Sequence, residues 1–230
     1  MHSVSEIVFE HVSHRFGDRL VLDDVHLTLT ERRIGVVGAN GSGKSTLART
    51  INGLVEPDRG RVLVDGLDVR RHGKQVRERV GFVFTDPDTQ IVMPTVREDI
   101  AFTLRRTRLT AADAAARVQT IIERFGLAEH ADHPAHLLSG GQKQLLAIAS
   151  VLVGEPAVLV ADEPTTLLDA RNAAMISRLL GGLDEQIVVV THHLDLVSDY
   201  DRVLVIDEGR IVADGPPAHA LSRYRALLSC

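Results

Sequence analysis

The sequence predicts an α/β fold: a mixed core sheet flanked by helices, an antiparallel β segment near the N-terminus and a helical segment inserted near the middle. Three observations carry that expectation. An apolar run, Ile34 to Val37, leads through a glycine-rich stretch into a helix-like run from Thr46 to Asn52. Two further apolar runs, Val158 to Ala161 and Ile187 to Val190, each end abruptly in polar residues, as buried strands of a parallel sheet do. Between them, amphipathic helical stretches alternate with short β-branched runs.

The stretch around which the rest is organised is Gly38-Ala39-Asn40-Gly41-Ser42-Gly43-Lys44-Ser45. Its glycines let backbone N–H groups turn inward towards an anion, where a Cβ would obstruct the close approach. Those groups stand at a helix start, where donors lack intrahelical partners and the helix dipole favours negative charge. Lys44 then reaches β- and γ-phosphates, the Ser45 hydroxyl suits Mg²⁺, and Thr46 opens the helix.

Before that loop, Ile7 to Val12 and Val25 to Leu29 alternate apolar and polar residues around a Gly17-Asp18 turn, an antiparallel pair. Phe16 falls in the connection, where an aromatic ring either stacks on a nucleobase or packs against apolar neighbours. After the loop, Leu47, Ala48 and Ile51 form a helical face closed by Gly53. Val62 to Val64 and Val80 to Phe84 read as strands, and the charges at Arg70-Arg71 and Lys74 to Arg79 between them read as a solvated surface. Thr85 to Pro94 carries two prolines and breaks regular structure. Thr110 starts an alanine-rich helix with Val118, Ile121, Ile122 and Phe125 on one side, stopped by Gly126.

Ser139-Gly140-Gly141-Gln142 opens a further helix with Leu145, Leu146, Ile148, Ala149 and Leu152 inward. Ser139 reads either as a plain N-cap or, because two glycines in a first turn weaken a helix by about 1 kcal/mol each, as part of a turn whose backbone approaches a ligand closely. The apolar strand ending in Asp162-Glu163-Pro164 puts two carboxylates at a carboxyl end, one for a metal and one facing a water. Leu168-Asp169 precedes a helix with Met175, Ile176, Leu179 and Leu180 inward, and Thr191-His192-His193 ends the next strand. Val203 to Ile206 and Ile211 to Ala213 form a hairpin, and Pro216 to Leu228 a last helix.

Bulk properties narrow the function. The chain has 230 residues, is 44% hydrophobic and carries a net charge of -5, so it buries a real core and has no global attraction for nucleic acid. Its only cysteine, Cys230, gives no intrachain disulfide and no Cys/His zinc site. No run approaches 18 uncharged apolar residues, so membrane contact is expected only through partners.

Taken together, these motifs resemble those of ABC-type ATPases across nearly the whole chain. GANGSGKS is similar to the Walker A motif, Leu138 to Gln142 (LSGGQ) to the ABC signature, Val158 to Glu163 (VLVADE) to Walker B, Leu168-Asp169 to the D-loop, His192 to the switch histidine and Phe16 to the A-loop aromatic. The resemblance implies a P-loop NTPase fold in which about 1–94 and 137–230 form a RecA-like core with an antiparallel β subdomain, and about 95–136 a helical subdomain. It also implies roles: Lys44 and the loop amides bind ATP phosphates, Ser45 and Asp162 hold Mg²⁺, Glu163 polarises the attacking water and His192 senses the γ-phosphate. The Ser139, Gly140, Gly141 and Gln142 turn closes over the nucleotide of a second ATPase subunit, so a dimer, read as a homodimer, is implied.

A finer likeness, through Asp86 to Val92, Thr95 to Phe102 and DEPTTLLD (Asp162 to Asp169), is to energy-coupling-factor importers, and within them, through Glu31 to Arg49 (ERRIGVVGANGSGKSTLAR) and the compact C-terminus, the chain looks most similar to the ATPase of biotin uptake systems. Cobalt and nickel systems are close rivals. Partners implied are a transmembrane coupling protein and a substrate-binding membrane protein, with the chain peripheral on the cytoplasmic face. One position departs from the family: Thr85 stands where the Q-loop glutamine is expected, and its shorter hydroxyl reaches Mg²⁺ only through water or a shifted loop. Two competing readings are a soluble ABC ATPase acting in protein assembly, and a P-loop kinase or GTPase, in which LSGGQ would have no task.

Overall fold

The computed structural model describes residues 4–105 and 107–228, so Cys230 lies outside the described residues. In chain order the strands are β1 (Ile7–Phe16), β2 (Arg19–Leu29), β3 (Arg33–Val37), β4 (Arg59–Val64), β5 (Leu67–Asp68), β6 (Val80–Val83), β7 (Val158–Asp162), β8 (Gln186–Val190), β9 (Arg202–Asp207) and β10 (Arg210–Gly215). The helices are α1 (Lys44–Ile51), α2 (Gly73–Arg79), α3 (Val96–Leu104), α4 (Ala111–Arg124), α5 (Gly140–Leu152), α6 (Ala170–Gly181) and α7 (Pro217–Leu228).

Two sheets result. An antiparallel one has the order β2-β1-β4-β5, and a six-stranded one has the order β10-β9-β3-β8-β7-β6. In the larger sheet β9, β3, β8, β7 and β6 run parallel, while β10 returns antiparallel beside β9, giving the mixed sheet expected. Every residue of β7 and β8 is buried. Side-chain alternation then divides each strand between two cores. Val158 and Val160 join Leu47, Ala48 and Ile51 of α1 and the inner face of the antiparallel sheet. Leu159 and Ala161 join α3, α4, α5, α6 and α7 on the opposite face.

Several local readings need correction. The strands β1 and β2 extend to a two-residue turn, Gly17-Asp18, so Phe16 is the last residue of β1 and pairs with Arg19 rather than lying in a loop. Lys74 to Arg79 is not merely a solvated surface: it forms most of α2, anchored by Val76, the one buried side chain of the seven. A single apolar residue carries no periodicity, which is why the pattern did not disclose a helix.

The segment from Thr85 to Pro94 is braced from within the neighbouring helices. Asp99, only 4% exposed, accepts the N–H groups of Val92 (2.8 Å) and Met93 (3.0 Å) at one oxygen and the Ser150 hydroxyl (2.8 Å) at the other. Thr95 and Glu98 complete a capping box at the start of α3. The acidic pair in Thr95 to Phe102 is therefore architectural, with Glu98 capping and Asp99 bracing. Replacing Asp99 by Ala removes the acceptor of two partly buried backbone donors and of the buried Ser150 hydroxyl. Unfolding stability is expected to fall by about 3 kcal/mol, read as a melting temperature lower by roughly 6–12 °C, with Asp99→Asn recovering part of the loss.

Candidate functional site

The carboxyl ends of three adjacent strands, β3, β8 and β7, converge on one mouth of the larger sheet. Connections from β3 leave on one side and those from β7 and β8 on the other, the arrangement that opens a crevice for a ligand. The loop after β3 turns into α1 at Gly43, whose φ of 109° is left-handed. A Cβ there would stand 2.5 Å from the Val21 carbonyl oxygen, so no other residue fits. Gly38, Ala39, Asn40, Gly41 and Ser42 form the concave side of this turn, closed by the Ser42 N–H on the Ala39 carbonyl at 3.2 Å. The Ser42 hydroxyl is buried with no hydrogen-bond partner. The N–H groups of Lys44, Ser45 and Thr46 open the helix and have no carbonyl within it to bond.

Lys44, 5% exposed, folds back over this hollow and donates to the carbonyls of Gly38 and Ala39, each at 2.9 Å. Burial holds its ammonium below the usual lysine value, with Glu163 and Asp162 pulling the other way. An anion placed among the Lys44, Ser45 and Thr46 amides is the one ligand that improves this environment, since it supplies the charge that carbonyl dipoles only approximate.

Asp162, the last residue of β7, is fully buried. Ser45 Oγ donates to one carboxylate oxygen at 2.7 Å and Arg49 Nη2 to the other at 3.2 Å. Thr85 Oγ1 donates to the Asp162 backbone carbonyl at 2.9 Å, so Thr85 does stand beside the expected metal-side carboxylate. Gln90, the only glutamine in the segment after β6, cannot take its place. Its carboxamide is already committed to the Phe84 N–H (3.0 Å) and to the carbonyls of Phe82 (3.3 Å) and Ala147 (3.4 Å).

Glu163 adopts φ 53°, a left-handed conformation unusual for a glutamate. Its N–H bonds the Val190 carbonyl at 2.8 Å, tying it to the end of β8. One oxygen, Oε2, receives Thr166 Oγ1 (2.9 Å), His192 Nδ1 (2.8 Å) and the His192 N–H (3.4 Å). The carboxylate and the exposed His192 ring thus form a closed pair at the mouth, and the His193 ring lies 4.1 Å from that of His192.

The structure brings Lys44, Ser45, Thr85, Asp162, Glu163 and His192 to this one mouth, but not the second glycine-rich helix start. Among the described residues no hydrogen bond or ion pair joins Ser139, Gly140, Gly141 or Gln142 to the loop from Gly38 to Ser45. Ser139 caps α5, its Oγ accepting the Gln142 N–H at 3.4 Å while its own N–H donates to Gln142 Oε1 at 2.9 Å. A Cβ on Gly140 would make only an ordinary van der Waals contact, 3.8 Å from Leu168 Cδ2, so packing within the chain does not demand glycine there. Gly141 has a different reason: a Cβ would lie 2.4 Å from Asn172 Oδ1 of α6, so helix packing, not ligand approach, demands this glycine. Asn172 is itself held by Asp169, which caps α6 by accepting its backbone and side-chain N–H groups, both at 2.8 Å. These bonds hold the Asp169 carboxyl below its usual value.

Phe16 is 56% exposed, and among the described residues its one ring contact is a T-shaped pair with His14, at 4.7 Å between centroids. Beside it, Arg19 donates to the Gly41 carbonyl at 2.9 Å, tying the β1–β2 turn to the phosphate loop. Arg19, Arg49, Thr166 and Asn172 were not singled out from the sequence. Arg49 was open to discovery, because it lies four residues after Ser45 and hence on the same helical face. The Arg19 contact has no local signal at all.

Comparison with known proteins agrees with this geometry. The family model described as "ABC transporter" matches residues 22–166. An ABC transporter ATP-binding protein of Deinococcus radiodurans is 55% identical, over 95% of this chain and 97% of its own. The biotin transport ATP-binding protein BioM of Rhizobium etli is 48% identical over 96% of this chain and 98% of its own. Among solved structures, cbiO1 of Clostridium perfringens, part of the ABC transporter complex cbiONQ, superposes with a TM-score of 0.84 at 32% identity, covering 97% of this chain and 93% of the other. The phosphate loop, the paired carboxylates and the separate signature turn thus sit in a chain that belongs to the ABC transporter family, as one of its ATP-binding, ATP-hydrolysing subunits.

Proposed function

We propose that this chain is the motor of an energy-coupling-factor importer and works as a homodimer that sandwiches ATP. One observation carries the reading: the chain has two helix starts suited to phosphate, and only one of them is equipped. The α1 start has Lys44, Ser45, Asp162 and Glu163 around it, whereas the one lysine of the Ser139 turn, Lys143, is held by Asp88 at 2.7 Å, and among the described residues no hydrogen bond or ion pair joins Ser139 to Gln142 to the first helix start. Each becomes useful when the Ser139 turn of one copy covers the nucleotide held by the α1 start of another.

In that reading Lys44 exchanges the Gly38 and Ala39 carbonyls for the β- and γ-phosphates, and the exposed ring of Phe16 stacks on the adenine. The all-oxygen pair of Ser45 Oγ and Asp162 Oδ1, 2.7 Å apart, fits a hard cation such as Mg²⁺, which supplies charge neutralisation on the phosphate oxygens when bound. Glu163 leaves His192 to orient the attacking water, and His192, freed from the carboxylate, meets the γ-phosphate. Such catalysis is positioning and charge stabilisation rather than covalent chemistry.

Among the described residues no helix is long and apolar enough to cross a membrane. The likeness to BioM and to cbiO1 of the cbiONQ complex favours a peripheral place on the cytoplasmic face, reached through a transmembrane coupling protein. The segment braced by Asp99, with Val92 63% and Phe102 43% exposed, offers that protein an apolar contact. Biotin is the cargo favoured by the likeness to BioM. The substrate is bound by a membrane partner, and reconstitution with the partners encoded beside this chain should give ATP-dependent biotin uptake; cobalt uptake instead would reassign the cargo and leave the motor intact.

Two substitutions test the mechanism. Glu163→Gln should keep nucleotide affinity, lower turnover by about 10²-fold or more, and accumulate an ATP-bound dimer on sizing columns. A variant that stays monomeric at saturating ATP would remove the sandwich. Thr85→Gln restores a side chain long enough to reach a metal beside Asp162, and turnover at limiting Mg²⁺ should rise several-fold. Equal rates for both proteins across a Mg²⁺ titration would show that the Thr85 hydroxyl is not what limits metal binding.

A further inference from the structure

Gln142 has a partner outside its own turn. Its Oε1 is committed to the Ser139 N–H, so its amide nitrogen faces Nε2 of His130, 2.7 Å away. An amide NH₂ can only donate, so His130 Nε2 presents a lone pair and the ring's proton sits on Nδ1. That proton points to Nδ1 of His133 at 3.1 Å, which accepts in turn. The contacts therefore have one order: the amide of Gln142 donates to His130, and His130 donates to His133.

These side chains line a cavity of about 290 Å³ with Pro134, Leu137 and Leu138. The latter three side chains are apolar, so the lining offers the Gln142 amide no polar side chain besides the two imidazoles. The segment from 130 to 133 is itself fixed to α3, through the Arg97 N–H on the Ala131 carbonyl at 2.8 Å and Arg97 Nε on Asp132 at 3.0 Å. His130 thus holds Gln142 from a rigid neighbour rather than from a free loop.

We propose that His130 is a positioning residue for ATP hydrolysis. Its Nε2 holds the Gln142 carboxamide, and through it the Ser139 N–H and hydroxyl, in the orientation in which this turn meets the nucleotide on a second copy of the chain. The inference rests on the sandwich reading above. Without the acceptor the carboxamide is free to rotate, its oxygen leaves the Ser139 N–H, and the turn must be re-ordered each time two copies close. A charge or donor at the same place is worse than nothing, because it confronts the NH₂ at hydrogen-bond distance.

The test uses the full chain carrying Glu163→Gln, with ATP, and measures the dimer dissociation constant by sedimentation velocity. His130→Leu should weaken the dimer about tenfold while the monomer's affinity for ATP stays the same. His130→Gln places a carbonyl oxygen near the position of Nε2 and should restore the dimer, whereas His130→Lys, of similar reach but with donors only, should not. That contrast separates positioning from packing, since both are long and polar, and it decides the matter even where the Leu variant folds poorly. Equal dimerisation of the Leu variant and its parent, or of the Gln and Lys variants, overturns the proposal. Ser139→Arg is the companion control: if it blocks the dimer while His130→Leu does not weaken it, only the role of His130 fails. If Ser139→Arg dimerises as its parent does, the sandwich reading falls and the role of His130 with it.

Discussion

A carboxylate with no exposed surface sits at the centre of this molecule, and the nucleotide site depends on how its charge is met. Left unpaired, a buried ion costs several kcal/mol, so Asp162 must have its donors in place before anything binds. They come from one helix: Ser45 on one oxygen and Arg49, one turn later, on the other. That helix follows β3, whereas Asp162 ends β7, and β8 lies between them. The geometry works because the parallel register aligns Val36 with Val190, and Val190 with Asp162, across three strands. Strand register, an outcome of burying two apolar faces, therefore decides where α1 must begin.

The same economy of partners governs the other charged groups at the mouth. Lys44 is satisfied by loop carbonyls, Asp162 by Ser45 and Arg49, and Glu163 by Thr166 and His192. Each is hydrogen-bonded, and the bonds of Lys44 and Glu163 are ones that a phosphate or a water can replace with better ones. A desolvated lysine gains more from a dianionic phosphate than from two dipoles, and a glutamate released from an imidazole becomes an acceptor for water. The left-handed backbone of Glu163 stores strain at the one residue whose carboxylate must face the mouth while its own N–H stays on β8.

How much of this was legible follows from how local the signals are. The phosphate loop, the buried strands and their polar ends, the Thr110 and Ser139 helix starts and the Asp162-Glu163 pair all appear within short windows of sequence. Lys74 to Arg79 was misjudged because one buried valine makes no pattern, and β5 is too short to have one. Phe16 was placed in a loop because bulges in β1 interrupt its alternation before the strand ends. The bonds of Arg19 to Gly41 and of His130 to Gln142 cross 22 and 12 positions, and no residue pattern announces them. Gly141 shows a subtler limit. Its identity was legible, but its cause, the Asn172 side chain, belongs to another helix.

That cause also bears on how two halves of one chain stay in step. From Glu163 the backbone runs through Thr166, whose hydroxyl bonds the Glu163 carboxylate, to Asp169, which caps α6 and grips Asn172. Asn172 in turn occupies the space that a side chain on Gly141 would need. In the proposed sandwich, the carboxylate assigned to this chain's own nucleotide is thereby connected, through short covalent steps and close packing, to the turn assigned to its partner's. Packed interiors shift as units rather than flex continuously, so a change at Glu163 and a change at Ser139 are poorly separable. Gly141 is then required by the packing that links the Glu163 end of the subunit to the Ser139 turn.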